Sequence, residues 1–156
     1  MSRDGVPRDQ LQNTYVGQIS LHASAVAVGT AGLLITGTSG SGKSALALTL
    51  MSMGARLVAD DCVLVARPDE GPPLASAPKR LFGLIEARGI GLINVKAQAS
   101  IMLRAMVDMD VVEDQRLPPR RDELVLDYPL RLFHKVESAH FAPALMHYLR
   151  SETDEL

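Results

Sequence analysis

One stretch of eight residues combines the groups that bind a polyphosphate. Gly37-Thr38-Ser39-Gly40-Ser41-Gly42-Lys43-Ser44 matches the pattern G-x-x-x-x-G-K-[ST]. Its glycines let the backbone come close to phosphate oxygens, so that several N–H groups can point at the anion. Lys43 adds positive charge for the outer phosphates, and the Ser44 hydroxyl is a ligand for Mg²⁺. We therefore predict that the chain binds a nucleoside triphosphate together with magnesium.

The sequence on either side of this loop supports its interpretation as a P-loop. Residues 32–36 form a short apolar run typical of a buried strand. Residues 43–53 are helix formers, and Gly54 stands where a C-terminal cap is expected. A strand, a glycine-rich turn and a helix in this order are the context that a P-loop requires. The alternative is a Gly/Ser linker that matches the motif by chance, and the flanking pattern disfavours it.

Asp60 and Asp61 form the second candidate group, at the end of the apolar run 56–59. A carboxylate at the end of a strand near a P-loop commonly holds Mg²⁺. Two adjacent carboxylates can divide the work: one faces the metal, and the other, perturbed by its neighbour's charge, acts as a base. The alternative is a solvated acidic turn, and the P-loop just upstream favours the functional interpretation.

Glu86 and Arg88 form the third candidate group, in Glu86-Ala87-Arg88-Gly89-Ile90-Gly91. The two glycines indicate that the backbone bends or approaches another group closely. A carboxylate and a guanidinium beside such a bend could serve as a metal ligand and a phosphate clamp. A surface ion pair is the alternative, and spacing alone favours it slightly.

The histidines carry a weaker signal. His22 lies within the apolar run 19–28, where the default expectation is a hydrogen-bonded core histidine. His134, His140 and His147 lack the spacing of metal ligands and are expected on the surface.

Composition bounds the class of protein. With 156 residues, 47% apolar and 22% charged, the chain is expected to form one globular domain. The net charge of −2, without a basic block or any Trp, argues against nucleic-acid binding. A single cysteine, Cys62, excludes a disulfide or a cysteine-based zinc site within one chain. Residues 1–13 lack the apolar core of a signal peptide, and no apolar run is long enough to cross a membrane, so we expect a cytoplasmic protein.

The order of predicted elements indicates an α/β domain over residues 14–150, with a loose tail over 1–13 and a polar tail over 151–156. Strands are predicted at 19–28, 32–36, 56–59, 62–66, 100–112 and 124–132, and helices at 43–53 and 138–150.

Taken together, four motifs resemble the catalytic domain of HPr kinase/phosphorylase. They are His22-Ala23-Ser24, the P-loop with its strand, Arg56-Leu57-Val58-Ala59-Asp60-Asp61, and the segment Glu86-Ala87-Arg88-Gly89-Ile90-Gly91. The run from residue 22 to residue 94 covers nearly half of the chain, and the order and spacing of the motifs fit the family.

The resemblance implies a serine kinase that uses ATP and Mg²⁺ to phosphorylate HPr, the phosphocarrier protein of the phosphotransferase system. It implies a P-loop fold of the phosphoenolpyruvate carboxykinase type, with a mixed sheet and flanking helices, and a hexameric assembly. Many members also catalyse the reverse reaction, in which inorganic phosphate attacks the phosphoserine.

Site roles also follow from the resemblance. Residues 37–44 would bind the nucleotide, with Lys43 as the catalytic phosphate-binding lysine. Ser44 and Glu86 would be metal ligands. Asp61 would be the base, supported by Asp60, while His22 and Arg88 would complete the catalytic set.

The chain departs from the family in two places. It has no room for the separate N-terminal domain of full-length members, so it resembles a short form. Where the family carries a Gly-Arg with a catalytic arginine, this chain has Tyr128-Pro129-Leu130-Arg131-Leu132-Phe133-His134-Lys135, with Arg131 as the available replacement. We therefore expect weak or no reverse activity. The alternatives are a nucleotide-dependent sensor without transfer activity and a P-loop kinase for a small metabolite.

Overall fold

A computed structural model describes residues 15–151, and the side chains from residue 17 onward. In this part of the chain the strands are β1 (Tyr15–Leu21), β2 (Ala23–Val28), β3 (Ala31–Thr36), β4 (Arg56–Ala59), β5 (Val63–Pro68), β6 (Leu74–Ser76), β7 (Leu84–Ala87), β8 (Gly91–Asn94), β9 (Ser100–Val112), β10 (Asp122–Val125) and β11 (Tyr128–Lys135). The helices are α1 (Lys43–Ser52) and α2 (Phe141–Arg150), with a 3-10 turn at Lys79–Leu81. The predicted tail 1–13 and all of the tail 151–156 except Ser151 lie outside the described residues.

Nine strands form one mixed sheet in the order β1-β5-β6-β9-β3-β2-β4, with β11 paired to β9 and β10 to β11. The β3–β9 and β9–β11 pairs are parallel, and the remaining pairs are antiparallel. Strands β7 and β8 form a separate hairpin. The mixed sheet with helices is the coarse α/β class that the sequence predicts.

The strand order brings distant parts of the chain to one edge of the sheet. Since β2 is antiparallel to both β3 and β4, these two strands run in the same direction and end at the same edge. Ala23, at the start of β2, pairs with Thr36 at the end of β3, and Thr36 also pairs with Asp108 of β9. The P-loop, Asp60-Asp61, His22 and the end of β9 therefore meet at this edge.

Apolar residues cover both faces of the central strands. Val26, Leu33 and Ile35 pack with α1 and α2 on one face, whereas Ala25 and Leu34 belong to a second cluster on the other. That second cluster includes residues of β5 and β6, because the sheet folds over itself on that side. Burial on two faces explains why β2 and β3 read as continuous apolar runs without alternation. A rigid double-faced core thus supports the edge that carries the candidate site.

Most element predictions are confirmed, and three need correction. The predicted strand 124–132 is instead parts of two antiparallel strands, β10 and β11, joined by a turn at Leu126 and Asp127. The predicted strand 100–112 is β9, and the predicted helix 43–53 is α1, followed by Gly54 with φ 113°. The predicted strand 19–28 is instead two strands, because β1 pairs with β5 whereas β2 pairs with β3 and β4, and the chain bends at His22 to change partners. The last helix begins at Phe141 rather than at residue 138, after a turn closed by the Phe141 N–H donating to Ser138 O.

Neither helix in the described part of the chain has the length and apolar character needed to span a bilayer.

Candidate functional site

The P-loop joins the end of β3 to the first turn of α1. Its glycines Gly37, Gly40 and Gly42 have φ of 147°, 84° and 102°, values at which a side chain would strain the backbone. A Cβ on Gly37 would also lie 2.5 Å from Ser41 Oγ. Ser41 Oγ itself is buried without a hydrogen-bond partner in the described structure. The loop thus encloses the Ser41 hydroxyl at a helix N-terminus. This arrangement fits an anion such as a phosphate.

Lys43 is held inside the loop that precedes it. Lys43 is only 7% exposed. Its Nζ donates to Gly37 O at 2.8 Å and to Thr38 O at 3.1 Å. A buried ammonium needs such acceptors, since desolvating a charge without partners is costly. The two carbonyls therefore keep the positive charge at the centre of the loop, where an outer phosphate of a nucleotide would lie.

Asp60 is the buried member of the acidic pair, and it organises three segments. Its Oδ1 accepts from Ser24 Oγ at 2.6 Å and from Ser44 Oγ at 2.7 Å, while its Oδ2 accepts from the Glu86 N–H at 3.0 Å. One carboxylate thus ties β2, α1 and β7 together beside the P-loop. Ser24 was not among the predicted site residues, although it lies within the His22-Ala23-Ser24 motif.

Replacing Asp60 by alanine is expected to destabilise the fold by about 2–3 kcal/mol, because it leaves the buried Ser24 hydroxyl and the part-buried Glu86 N–H without their acceptor. Urea unfolding monitored by circular dichroism measures this loss. Asp60→Asn, which keeps one oxygen acceptor, should lose less, and Asp69→Ala in an exposed turn is the control. A loss below about 0.5 kcal/mol in Asp60→Ala would contradict the structural role.

Asp61 is the exposed member of the pair and lies at the mouth of the site. Its side chain is 71% exposed, and its Oδ1 lies 3.0 Å from His22 Nε2. The backbone of Asp61 has φ 70°, a conformation that Asp and Asn tolerate better than most residues. His22 is half exposed in the bend between β1 and β2, so the expectation of a core histidine is wrong. The pair is suited to accept or hold a proton from a group that enters the site.

Glu86 and Arg88 lie on the β7–β8 hairpin, which bends at Arg88, Gly89 and Ile90. The bend that the two glycines predict is confirmed, with φ of 87° at Gly89 and 127° at Gly91. Both charged residues are exposed, and no ion pair between them is present in the described structure. The expectation of a surface ion pair is therefore wrong, and both side chains face the cavity described next.

These residues line one open cavity of about 680 Å³. Its lining comprises His22, Ser39, Gly40, Gly42, Lys43, Ser44, Ala45, Leu48, Asp61, Glu86, Ala87, Arg88 and Ile90. Nine of the thirteen predicted site residues thus line this cavity. Four predicted residues do not line the cavity and lie behind its wall: Gly37, Thr38, Ser41 and Asp60.

Asp110, which was not predicted, fixes the second residue of the P-loop, Thr38. Its carboxylate accepts from the Thr38 N–H, at 3.0 Å to Oδ2 and 3.1 Å to Oδ1, and from Thr38 Oγ1 at 2.9 Å. The hydrogen bonds from Thr38 hold the pKa of the Asp110 carboxyl below its usual range, and the positive charge of Lys43 acts in the same direction. The acidic residues of β9 were the only signal in the sequence, and without the strand order they could not be assigned to the loop.

Asp110 should contribute a pH-dependent part of stability. Because its pKa is lowered in the folded state, the ionised carboxylate stabilises the fold above its ordinary pKa, and this contribution is lost as the pH falls towards the lowered value. In Asp110→Asn, the decrease in unfolding free energy between about pH 7 and about pH 3 should be smaller than in the wild type. Urea unfolding at both pH values measures this, with Asp114→Asn as the control. An equal decrease in the wild type and in Asp110→Asn would contradict this contribution of Asp110.

Two further expectations about charged residues are corrected. His134 is not a surface residue: its side chain is 17% exposed and its Nδ1 lies 3.7 Å from Glu113 Oε1. His140 and His147 are exposed, as predicted. Arg131 does not line the P-loop cavity, and its guanidinium lies over the rings of Phe133 and Tyr148 on β11 and α2. It is therefore not placed to replace an arginine of the reaction site.

The residues present fit Mg²⁺ bound together with a phosphate. Ser44 Oγ and the carboxylates of Asp60 and Glu86 supply the hard oxygen ligands that Mg²⁺ prefers. Among residues 15–151, no three His, Cys, Asp or Glu side chains cluster as a metal cage would require. Nucleotide-bound Mg²⁺ commonly takes one or two carboxylates and fills its remaining positions with phosphates and water, so this site is compatible with that mode.

The fold is a mixed α/β domain with a glycine-rich loop between the carboxyl end of β3 and the first turn of α1. Residues 13–112 match the family described as "HPr Serine kinase C-terminal domain". The chain therefore belongs to the HPr serine kinase C-terminal domain family.

Individual relatives are named HPr kinase/phosphorylase. Over 85 residues the chain is 46% identical to the HPr kinase/phosphorylase of Geobacillus sp. (strain WCH70) and 42% identical to that of Bacillus subtilis (strain 168). Each match covers 54% of this chain and 27% of the relative, so the chain spans about a quarter of the length of these relatives. The structure of the Hpr(Ser) kinase/phosphatase from Coxiella burnetii aligns with a TM-score of 0.70 at 23% identity, covering 85% of this chain and 88% of that one. This last likeness confirms the fold.

Proposed function

We propose that this domain is an ATP- and Mg²⁺-dependent serine kinase that phosphorylates an HPr-type phosphocarrier protein in the cytoplasm. The observation that carries the proposal is the placement of Lys43, Ser44, Asp61 and Glu86 around one cavity, with Asp60 behind them. The names of the relatives supply the acceptor, since they are HPr kinases. The relation to phosphoenolpyruvate carboxykinase and the hexameric assembly stay predictions from the resemblance.

The P-loop would bind the β- and γ-phosphates of ATP through its backbone N–H groups. Lys43 would neutralise charge on the transferred group, which is the largest contribution that a protein makes to phosphoryl transfer. Mg²⁺, held by Ser44 and the acidic residues, would supply further charge neutralisation. Asp60 acts through Ser44, because the hydrogen bond between them fixes the orientation of the Ser44 hydroxyl. Asp60 is thus a positioning residue in this proposal.

Asp61 would be the general base. As the acceptor serine Oγ forms its bond to the γ-phosphorus, the bond from that phosphorus to the ADP oxygen breaks, and the serine proton moves to the Asp61 carboxylate. In this proposal the His22 Nε2–H donates to the carboxylate at Asp61 Oδ1 and thereby orients it towards the cavity. Arg88, exposed on the cavity lining, would bind phosphate oxygens of the transferred group.

The same geometry supports a kinase with weak or no reverse activity. Arg88 is the only arginine that lines the cavity among the described residues. Arg131, which stands where the family resemblance expects a second catalytic arginine, packs on aromatic rings elsewhere. A nucleotide-dependent sensor without transfer activity is the second candidate, and this missing arginine is the observation that favours it. The carboxylate at Asp61, paired with His22 at the mouth of the cavity, favours the kinase.

The test is to incubate the chain with ATP, Mg²⁺ and an HPr-type protein encoded in the same genome. Mass spectrometry of the acceptor then reads out phosphorylation and its site. We expect one phosphorylated serine, and no modification when a chelator removes the metal. When inorganic phosphate is then added in excess, the phosphorylated acceptor should lose little of its phosphate. Nucleotide binding with an unmodified acceptor would favour the sensor.

A further inference from the structure

Two large aliphatic side chains stand in solvent at the end of the β7–β8 hairpin. Ile90 is 80% exposed and Leu92 is 73% exposed, although aliphatic residues of similar size fill both cores. We call these two residues the hairpin tip. Adjacent exposed aliphatic groups next to a functional site commonly mark a surface that a partner covers.

The hairpin register decides where these side chains lie. Glu86 pairs with Leu92, and directly paired residues project from the same face of a hairpin. Ile85 and Ala87 are buried against the domain, so Glu86 and Leu92 share the opposite, outward face. Leu92 therefore stands beside a residue that lines the reaction cavity.

Ile90 is closer still, because it lines the cavity itself together with Lys43 and Asp61. It occupies the bend of the hairpin, where positive φ at the flanking Gly89 and Gly91 sets the turn. Ile90 and the exposed Asp61 lie on the rim of the same open cavity. The tip thus borders the entrance to the site on the side of the hairpin.

We propose that the hairpin tip is a docking surface for the acceptor protein, and that it fits an apolar patch beside the serine that receives phosphate. This inference rests on the proposed kinase function and specifies how its substrate is recognised. A small phosphoacceptor would leave Ile90 and Leu92 in water, whereas a folded protein that presents a serine to Asp61 covers them. A second copy of the chain seated on Ile90 would block the cavity that Ile90 lines, which disfavours that occupant.

The test compares Ile90→Ser/Leu92→Ser with the wild type. Titration calorimetry measures the affinity for the HPr-type protein and, separately, for ATP with Mg²⁺. We expect the Kd for the acceptor to rise by at least about tenfold, because two apolar contacts are lost. In Leu92→Ser alone, whose side chain does not line the cavity, ATP affinity should stay within about twofold, and KM for the acceptor should rise with kcat within about threefold at saturation. Leu117→Ser, at a position 82% exposed in the β9–β10 loop, is the matched control and should behave as the wild type. Ile90→Val/Leu92→Met should retain binding.

Three outcomes would overturn the proposal. The first is an acceptor Kd in the double variant within about twofold of the wild type. The second is a change in oligomer mass on sedimentation, which would assign the tip to contacts between copies. The third is a wild type that does not bind the acceptor at all. If the wild type binds the acceptor but transfers no phosphate, the kinase function fails, while the ratio of acceptor Kd values still decides the docking surface.

Discussion

Replacing Asp61 by asparagine is expected to reduce serine phosphorylation by about 10²–10⁴-fold, since an amide cannot take the proton of the attacking hydroxyl. ATP affinity should stay within about twofold, because the role proposed for Asp61 concerns the acceptor and not the phosphates. Asparagine is the better probe than alanine, since Asp61 has φ 70° and alanine there would add backbone strain. Rates of transfer from labelled ATP, together with a nucleotide titration, measure both quantities.

Asp127→Asn is the matched control for this variant. Asp127 is also an exposed aspartate with positive φ, at 65°, but it lies in the β10–β11 turn. The Asp127→Asn variant should phosphorylate the acceptor at the wild-type rate. Loss of ATP binding in Asp61→Asn would contradict the assignment of Asp61 as the base, and full activity would remove Asp61 from the reaction.

Replacing Lys43 by alanine is expected to abolish transfer, with a decrease of about 10³-fold or more, because the charge that faces the transferred phosphoryl group is lost. Unlike Asp61→Asn, this variant should also bind ATP more weakly, by about tenfold or more. In the wild type, Lys43 Nζ donates hydrogen bonds to Gly37 O and Thr38 O, and alanine removes both. Circular dichroism should therefore first establish that the variant folds. Single-turnover transfer and a nucleotide titration then separate the two effects.

Lys79→Ala, at an exposed position in the 3-10 turn, controls for removing a lysine. Lys43→Met keeps the bulk of the buried stem and removes only the charge, so it should resemble Lys43→Ala in transfer. Transfer at more than about a tenth of the wild-type rate in both Lys43 variants would contradict the proposed role of the lysine.

The sequence predicts the parts of the site that depend on local backbone chemistry. The strand before the P-loop, the glycines and α1 follow from residues that are adjacent in the chain, and the structure confirms them. Asp60-Asp61 at the end of β4 is likewise a local feature. What could not be predicted is which of the two carboxylates is buried, because burial of Asp60 depends on Ser24, 36 residues away.

Other parts of the site depend on strand order, which periodicity does not give. Asp110 reaches Thr38 across 72 residues because β9 is the neighbour of β3. The bend at His22 was missed because small and apolar residues lie on both sides of it. The change of pairing partner between β1 and β2 marks the end of one strand and the start of the next. His134 was misplaced for a related reason, since β11 lies beside β9 and brings it close to Glu113.

The most direct test of the kinase proposal is transfer of labelled γ-phosphate from ATP and Mg²⁺ to the HPr-type protein, by the wild type and Asp61→Asn side by side. Both proteins should bind the nucleotide. We expect label on a serine with the wild type and at least about 10²-fold less label with Asp61→Asn. Nucleotide bound by both proteins, with no label transferred by the wild type, would contradict the kinase and leave a nucleotide-dependent sensor.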